Sequence, residues 1–172
     1  MLKEIINNRR SVRKFKNEKI DHEKLEELLK YSLIGPSYGN SRPVQFIVVE
    51  DQDTLNTLSN IETFGTKYLA DVPAVVVIFA DRELSETWVE ECSIAASYLQ
   101  LLAQEEGFNT SWVNLKDGET KDGVQIQKFA RDLFNLPANM STLCMIPIGF
   151  GDEKARKRVD FDASPKIHYE KF

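Results

Sequence analysis

Apolar residues recur every three or four positions in four parts of the chain, and this spacing predicts four helices. The predicted helices are a short one at residues 2–6, one that begins at the capping residue Asp21 and stops at Gly35 and Pro36, one at residues 85–106 that Gly107 can cap, and one at residues 124–134. The third is apolar almost all round between Ile94 and Ala103. We therefore expect it to lie at the centre of the fold and partly in a subunit interface.

Four short runs of apolar and β-branched residues predict strands at residues 45–50, 74–80, 109–113 and 142–148. The run at 74–80 is apolar throughout, as expected of an interior strand that is covered on both faces. Together the helices and strands predict an α+β fold with a sheet between helices. At 172 residues the chain fits one domain that spans residues 1–172.

The charge balance and the cysteines argue against several classes of protein. The 27 acidic residues outnumber the 22 lysines and arginines, which argues against general nucleic-acid binding. Cys92 and Cys144 lie in apolar stretches without Cys-x-x-Cys spacing, which favours buried free thiols over a redox or zinc site. There is no run of about 20 apolar residues. There is also no N-terminal apolar segment with a cleavage site, so we expect a cytoplasmic protein with no membrane contact.

The histidines and the paired acids do not form a catalytic set. His22 and His168 lie far apart in the sequence without carboxylate or cysteine partners at motif spacing, which argues against a metal site. Glu90 and Glu91 are adjacent, so they point in different directions on a helix and we expect both to be solvated. No catalytic side chain is assigned from the sequence.

Two basic segments differ from the acidic average of the chain. The N-terminal basic segment (residues 9–14) contains Arg9, Arg10, Ser11 and Arg13, and the C-terminal basic segment (residues 154–158) contains Arg156 and Arg158. Guanidinium forks and a serine hydroxyl could together surround the oxygens of one phosphate. If the two segments converge in space, a phosphorylated cofactor is the first hypothesis. The alternative is a solvated surface, or a patch that contacts RNA or an acidic protein.

Five motifs, taken in order along nearly the whole chain, resemble the nitroreductase family, whose members bind FMN between the subunits of a homodimer. The motifs are residues 9–13 (Arg-Arg-Ser-Val-Arg), 36–43 (Pro-Ser-Tyr-Gly-Asn-Ser-Arg-Pro), 111–113 (Ser-Trp-Val), 148–150 (Ile-Gly-Phe) and 167–172 (Ile-His-Tyr-Glu-Lys-Phe). The resemblance implies a central, mainly antiparallel sheet flanked by helices. It also implies that the C-terminal tail is exchanged between the two subunits.

The resemblance further implies which residues contact FMN. Those near the phosphate and the ribityl chain are Arg9, Arg10, Ser11 and Arg13, with Arg156 and Arg158 closing the phosphate from the C-terminal side. Pro36, Ser37 and Asn40 correspond to the loop that the second subunit lays against the isoalloxazine ring, so each site would need two chains. Arg42 stands in this loop where many members have Gln. Pointing inward it would favour an anionic substrate, and pointing outward it would be a surface residue.

Two further segments are implied to lie beside the ring. Lys67 corresponds to a cation near flavin N1 and O2, where negative charge accumulates on reduction. A solvated lysine at a helix end would have the same sequence pattern. Trp112, Val113 and Asn114 correspond to a strand end whose backbone N–H approaches flavin N5, the atom that exchanges hydride.

The implied activity is hydride transfer from NADH or NADPH through flavin N5 to an electron-poor acceptor, in two successive steps. The acceptor could be a nitroaromatic, a quinone or an enone. A second interpretation is a non-catalytic FMN-binding or flavin-storage protein, in which Arg42 and Asn114 block the nicotinamide. Residues 56–67 could either leave the ring face open or cover it.

Overall fold

Five helices and five strands make up the computed structural model, which describes residues 1–62, 65–154 and 157–172. The helices are α1 (Leu2–Asn8), α2 (His22–Ser32), α3 (Gln52–Ser59), α4 (Trp88–Glu105) and α5 (Ile126–Phe134). The strands are β1 (Val44–Val49), β2 (Ala74–Asp81), β3 (Asn109–Thr110), β4 (Val113–Asn114) and β5 (Met140–Gly149). Short 3-10 turns lie at Tyr38–Asn40, Lys67–Asp71 and Ser164–Lys166. The predicted cap of α2 is present, since the Lys24 N–H donates to Asp21 Oδ1 at 3.1 Å.

The strands form one antiparallel sheet in the order β1, β2, β5, β3, and β4 also pairs with β5. The centre of the sheet is the β2–β5 pair, in which Ala74 faces Ile148 and Asp81 faces Met140. All residues of β2 up to Ala80 are buried, which confirms the prediction of an interior strand. The central antiparallel sheet and its flanking helices likewise confirm the predicted fold class.

Two hydrophobic cores lie on opposite faces of this sheet. Ala74, Val76 and Ile78 of β2 point into the core formed with α2 and α4, whereas Val75 and Val77 point into the core formed with α3 and α5. This alternation follows from the period of two in a strand. The second core also takes in Val12 of the N-terminal basic segment and Phe15 directly after it, which fixes that segment to the sheet.

The predicted strand at 109–113 is wrong in one respect, because the structure divides it into β3 and β4. Both short strands pair with β5 in one continuous register. In that register Ser111 lies opposite Pro147, and the Ser111 N–H donates to Pro147 O at 3.4 Å. Proline has no N–H to return the second bond of this antiparallel pair, so the ladder is interrupted between β3 and β4.

Two helix starts predicted from the sequence need correction, and one helix was not predicted. The helix predicted at 85–106 begins only at Trp88, and the helix predicted at 124–134 begins at Ile126. The segment 56–67, considered as a possible cover, begins inside α3, a helix that the apolar pattern did not predict. Asp51 caps α3 by accepting the Thr54 N–H at 2.9 Å, so an Asx cap was the signal that could have found it.

Cys92 and Cys144 are buried free thiols, as predicted, and burial raises the pKa of Cys92 to about 12. In the described part of the chain, no helix is both long and apolar enough to cross a membrane. The tail after residue 157 leaves Phe161, Tyr169 and Phe172 exposed. Its exchange with a second subunit stays a prediction.

Candidate functional site

Backbone pairing brings the end of the N-terminal basic segment next to the start of the C-terminal basic segment. The Lys16 N–H donates to Phe150 O at 2.8 Å, and the Asp152 N–H donates to Lys14 O at 2.8 Å. Residues 14–16 and 150–152 therefore run antiparallel, with a bridge between Phe15 and Gly151 at the centre. This pairing directs the chain after β5 back towards the N-terminus, so that the C-terminal basic segment starts beside residues 13 and 14.

A carboxylate that the sequence analysis did not consider fixes the backbone of this junction. Glu153 Oε1 accepts the N–H of Arg13 at 2.6 Å and that of Lys14 at 3.2 Å. The Lys14 ammonium forms an exposed ion pair with Asp152 at 3.3 Å. Glu153 thus satisfies two backbone donors of the junction.

Three arginines of the predicted phosphate site meet at the C-terminal end of α1. The Arg158 guanidinium donates to the carbonyls of Ile6 at 3.1 Å, Asn7 at 3.5 Å and Arg9 at 3.5 Å. Arg10 donates to Asn7 O at 2.6 Å and to Arg9 O at 2.7 Å. Burial, followed by the charges of Arg158 and Arg10, lowers the pKa of Arg9. A cluster of like charges of this kind is stabilised by an anion.

A cleft of about 670 Å³ opens beside this cluster. Its lining includes Lys3, Arg10, Lys157, Arg158 and Phe161. The two basic segments therefore contribute cations to one concave surface. Arg156, predicted to close the phosphate site, lies outside the described residues.

Ser11 and Arg13 lie on the neighbouring extended segment and face outward. Val12 between them is buried, and its N–H donates to Thr110 O at 3.0 Å. Ser11 pairs with Thr110 in a parallel bridge. Because side chains alternate along extended backbone, Ser11 and Arg13 share the face opposite to Val12. The basic segment is thus attached to the β3 end of the sheet with its polar side chains exposed.

Tyr68 and Ser111 form a polar contact that the sequence analysis missed. Their hydroxyl oxygens lie 2.8 Å apart, with Ser111 fully buried. Burial raises the pKa of Tyr68, while the hydrogen bond to Ser111 and the charge of Arg13 act in the opposite direction. The contact joins three predicted site segments, those around residues 13, 67 and 111. The available signal was position, because Tyr68 follows Lys67 and Ser111 begins one of the five motifs.

Lys67 and the strand end at 112–114 lie at exposed positions. The Lys67 ammonium donates to Asn60 Oδ1 at 2.7 Å, at the start of the 3-10 turn. Trp112 and Asn114 are exposed, and Val113 between them is partly buried. Asn114 Nδ2 donates to Asp117 O at 3.1 Å, which fixes the side chain along its own loop. Contact of these residues with a flavin ring stays a prediction.

Residues 36–42 form a tightly turned loop (loop 36–42). Gly39, Asn40 and Arg42 have φ angles of +57°, +58° and +49°, a region that residues with side chains rarely adopt. The Arg42 N–H donates to Ser37 Oγ at 2.8 Å, and Arg42 Nε donates to Asn40 Oδ1 at 2.9 Å. The Arg42 side chain is exposed, and Pro36 is exposed at the start of the loop.

The prediction that both Glu90 and Glu91 are solvated is wrong for Glu91. Glu90 is exposed, but Glu91 is only 5 % exposed and its carboxylate accepts hydrogen bonds from three hydroxyl groups. Burial alone would disfavour its ionisation, yet hydrogen bonds from Ser85, Ser37 and Thr87 hold the pKa of Glu91 below its ordinary value. The hydrogen bonds of loop 36–42 therefore run to α4 and within the loop itself.

Comparison with known proteins identifies similar chains. The model of the nitroreductase family matches residues 6–65. A protein of Archaeoglobus fulgidus named "Putative NADH dehydrogenase/NAD(P)H nitroreductase" is 33 % identical over 98 % of this chain and 97 % of its own length. A protein of the same name from Methanothermobacter thermautotrophicus is 30 % identical over 98 % of this chain and 86 % of its own length.

Solved structures show the same fold. The FMN-dependent nitroreductase of Clostridium difficile R20291 superposes with a TM-score of 0.90. It is 36 % identical in sequence, and the match covers 98 % of both chains. The backbone fold described above is therefore shared over almost the full length of both chains.

Proposed function

This chain belongs to the nitroreductase family, and we propose that it is an FMN-dependent oxidoreductase that uses NADH or NADPH to reduce an electron-poor organic acceptor. FMN, when bound, supplies the hydride transfer between the nicotinamide and the acceptor. The acceptor class comprises nitroaromatics, quinones and enones, which share a flat, electron-poor group.

The observation that carries this proposal is the convergence of the two basic segments. Arg10 and Arg158 line one cleft at the end of α1, and Arg9 lies partly buried near enough for the charges of both to lower its pKa. A phosphate dianion would neutralise this repulsion and accept charge-assisted hydrogen bonds from all three groups. The residues therefore fit the phosphate of FMN. Ser11 and Arg13, which share the outward face of the adjacent segment, would hold the ribityl side, and Arg156 is proposed as a further phosphate ligand.

At the ring end, the proposal assigns electrostatic and packing roles rather than proton transfer. Lys67 would supply positive charge near the pyrimidine side of the ring, where reduction places negative charge. Trp112, Val113 and Asn114 would present backbone to the reacting edge. Tyr68 would stay protonated, because burial raises its pKa.

We further propose that the active unit is a homodimer in which Pro36, Ser37, Asn40 and Arg42 of one chain face the flavin of the other. Exposed apolar side chains next to loop 36–42 support this arrangement, namely Tyr31, Ile34 and Tyr98. The exposed aromatic residues of the tail support its exchange between the chains. Such a tail leaves apolar surface in water unless a second copy covers it.

The absorption spectrum of the purified protein tests the proposal directly. We expect a yellow protein that releases FMN on denaturation, and whose flavin band bleaches when NADH or NADPH is added without oxygen. Addition of a quinone or a nitroaromatic should restore the band. A protein that takes up no FMN would exclude the cofactor, and a flavin that stays oxidised with both nicotinamides would identify a storage protein instead.

A further inference from the structure

Glu91 is a buried carboxylate whose two oxygens are both occupied by hydroxyl donors. Oε1 accepts from Ser85 Oγ at 2.6 Å and from Thr87 Oγ1 at 3.1 Å. Oε2 accepts from Ser37 Oγ at 2.7 Å. The first two donors lie in the turn that precedes α4, and the third lies in loop 36–42. The carboxylate therefore connects two loops that are about fifty residues apart in the chain.

This charge is stabilised by dipoles rather than by a cation. No ion pair within residues 1–62, 65–154 and 157–172 involves Glu91. Removing a carboxylate from water costs several kcal/mol or more unless hydrogen bonds replace its hydration. A neutral side chain would avoid this cost at the same place in α4. An ionised carboxylate accepts hydrogen bonds more strongly than a neutral side chain does. We therefore infer that the three hydroxyl donors need an acceptor of this strength.

Ser37 transmits the effect of Glu91 to the rest of loop 36–42. Its hydroxyl donates to Glu91 and at the same time accepts the Arg42 N–H at 2.8 Å. Arg42 and Asn40 are held at positive φ angles, which cost free energy for residues with side chains. Such a conformation persists only where surrounding contacts determine it. Among the described contacts, Glu91 ties this turn to a buried element in two ways: through the Ser37 hydroxyl, which holds the Arg42 backbone, and through the backbone N–H of Tyr38.

We propose that Glu91 is a positioning residue, which holds loop 36–42 in the conformation that faces the flavin ring. This inference rests on the proposed function of that loop. Glu91 itself does not touch cofactor or substrate in this scheme. It orients Ser37, and Ser37 in turn sets the backbone that carries Asn40 and Arg42.

Variants that remove the donor to one or the other oxygen of Glu91 provide a matched test. Ser37→Ala removes the donor on the loop side, Ser85→Ala removes a donor on the opposite side, and Glu91→Gln removes the charge while keeping the shape. For each variant we would measure the FMN dissociation constant by flavin fluorescence and the visible circular dichroism of the flavin at saturating FMN. Melting temperatures measured without FMN separate stability from positioning.

We expect Ser37→Ala and Glu91→Gln each to weaken FMN binding about tenfold, as loss of one charge-assisted hydrogen bond implies. Both should change the dichroism of the bound flavin, and the double variant should be no weaker than the worse single variant. Ser85→Ala should lower the melting temperature but keep FMN affinity within about twofold of wild type, because the Ser37 bond remains.

Three results would overturn this role of Glu91. These are unchanged affinity and dichroism in Ser37→Ala and Glu91→Gln, equal changes in Ser85→Ala, or additive losses in the double variant. If wild-type protein binds FMN and any of them occurs, the inference fails alone and the proposed function stands. A wild-type protein that binds no FMN would overturn both. Should Glu91→Gln fail to fold, Glu91→Asp takes its place, because it keeps the charge but shortens the side chain away from Ser37. Unchanged FMN affinity and dichroism in Glu91→Asp would then overturn the role.

Discussion

Replacing Arg158 by alanine should weaken the binding of the FMN phosphate and leave the binding of the ring and the ribityl chain almost unchanged. In the structure the Arg158 guanidinium makes three exposed hydrogen bonds of 3.1–3.5 Å to carbonyls at the end of α1. Exposed contacts of this length contribute little, so the free energy of unfolding should change by no more than about 0.5 kcal/mol. Its charge, in contrast, adds to those of Arg9 and Arg10, which a bound phosphate would neutralise.

The expected loss of FMN affinity follows from the type of bond removed. A hydrogen bond between a guanidinium and a phosphate contributes roughly 1.5–3 kcal/mol, which corresponds to a roughly 10- to 150-fold weaker FMN complex. Riboflavin has the same ring and ribityl chain without the phosphate. Arg158→Ala should therefore leave riboflavin binding almost unchanged, and the preference for FMN over riboflavin should fall by the same factor.

Fluorescence titration of FMN and riboflavin into the flavin-free protein measures both affinities. Lys19→Ala is a suitable control, because it removes one positive charge from an exposed position outside both basic segments. The control should keep the wild-type preference for FMN at about 0.1 M salt, where distant exposed charges are largely screened. Equal losses for FMN and riboflavin, or an unchanged FMN affinity in Arg158→Ala, would refute the assignment of Arg158 to the phosphate.

Three further predictions concern stability and reactivity. Glu91 has a lowered pKa in the folded chain, so its contribution to stability is present above the ordinary glutamate pKa of about 4.3 and is lost as the pH falls through the lower folded value. Urea unfolding between pH 6 and pH 3 should show a steeper acid loss for wild type than for Glu91→Gln. The two N–H groups of Gln127 Nε2 donate to three backbone carbonyls, one N–H being shared, and Oε1 accepts the Thr142 N–H, so Gln127→Ala should cost about 2–4 kcal/mol in the same assay. The exposed Gln125→Ala should cost under about 0.5 kcal/mol, and equal losses would contradict the buried network. Burial raises the pKa of Cys92 to about 12 and raises that of Cys144 too, so native protein should react with a thiol reagent only on unfolding. Fast labelling of the native protein would contradict the burial of both thiols.

Local patterns were enough to predict the layers of the fold. The apolar run that became β2 identified the centre of the sheet, and the cap at Asp21 identified the start of α2. Both features depend on residues that are neighbours in the chain. The order of the strands and the division at Ser111 depend instead on pairing with Pro147, a partner more than thirty residues away. Sequence spacing carries no information about such a partner.

In the candidate site, too, only residues with a local sequence signal could be predicted. The arginines of both basic segments could be chosen from composition, but Glu153, Tyr68 and Glu91 act through contacts between distant segments. For Glu91 a local signal did exist. It precedes buried Ala95 by four residues, so it lies on the buried face of α4 while Glu90 lies outside it. Adjacency of the two acids was the less informative observation, because a helix separates neighbours by about 100°.

Pro147 couples the interior of the sheet to the course of the backbone at Trp112. In an antiparallel pair the N–H and C=O of one residue point to the same neighbour, and Pro147 O faces Ser111. Any other residue type at 147 would supply a donor to Ser111 O and favour a single uninterrupted strand from 109 to 114. Homologous chains that lack this proline should therefore differ in the shape of segment 111–114 as well. Over evolutionary time the two places are expected to vary jointly, although more than thirty residues separate them in the chain.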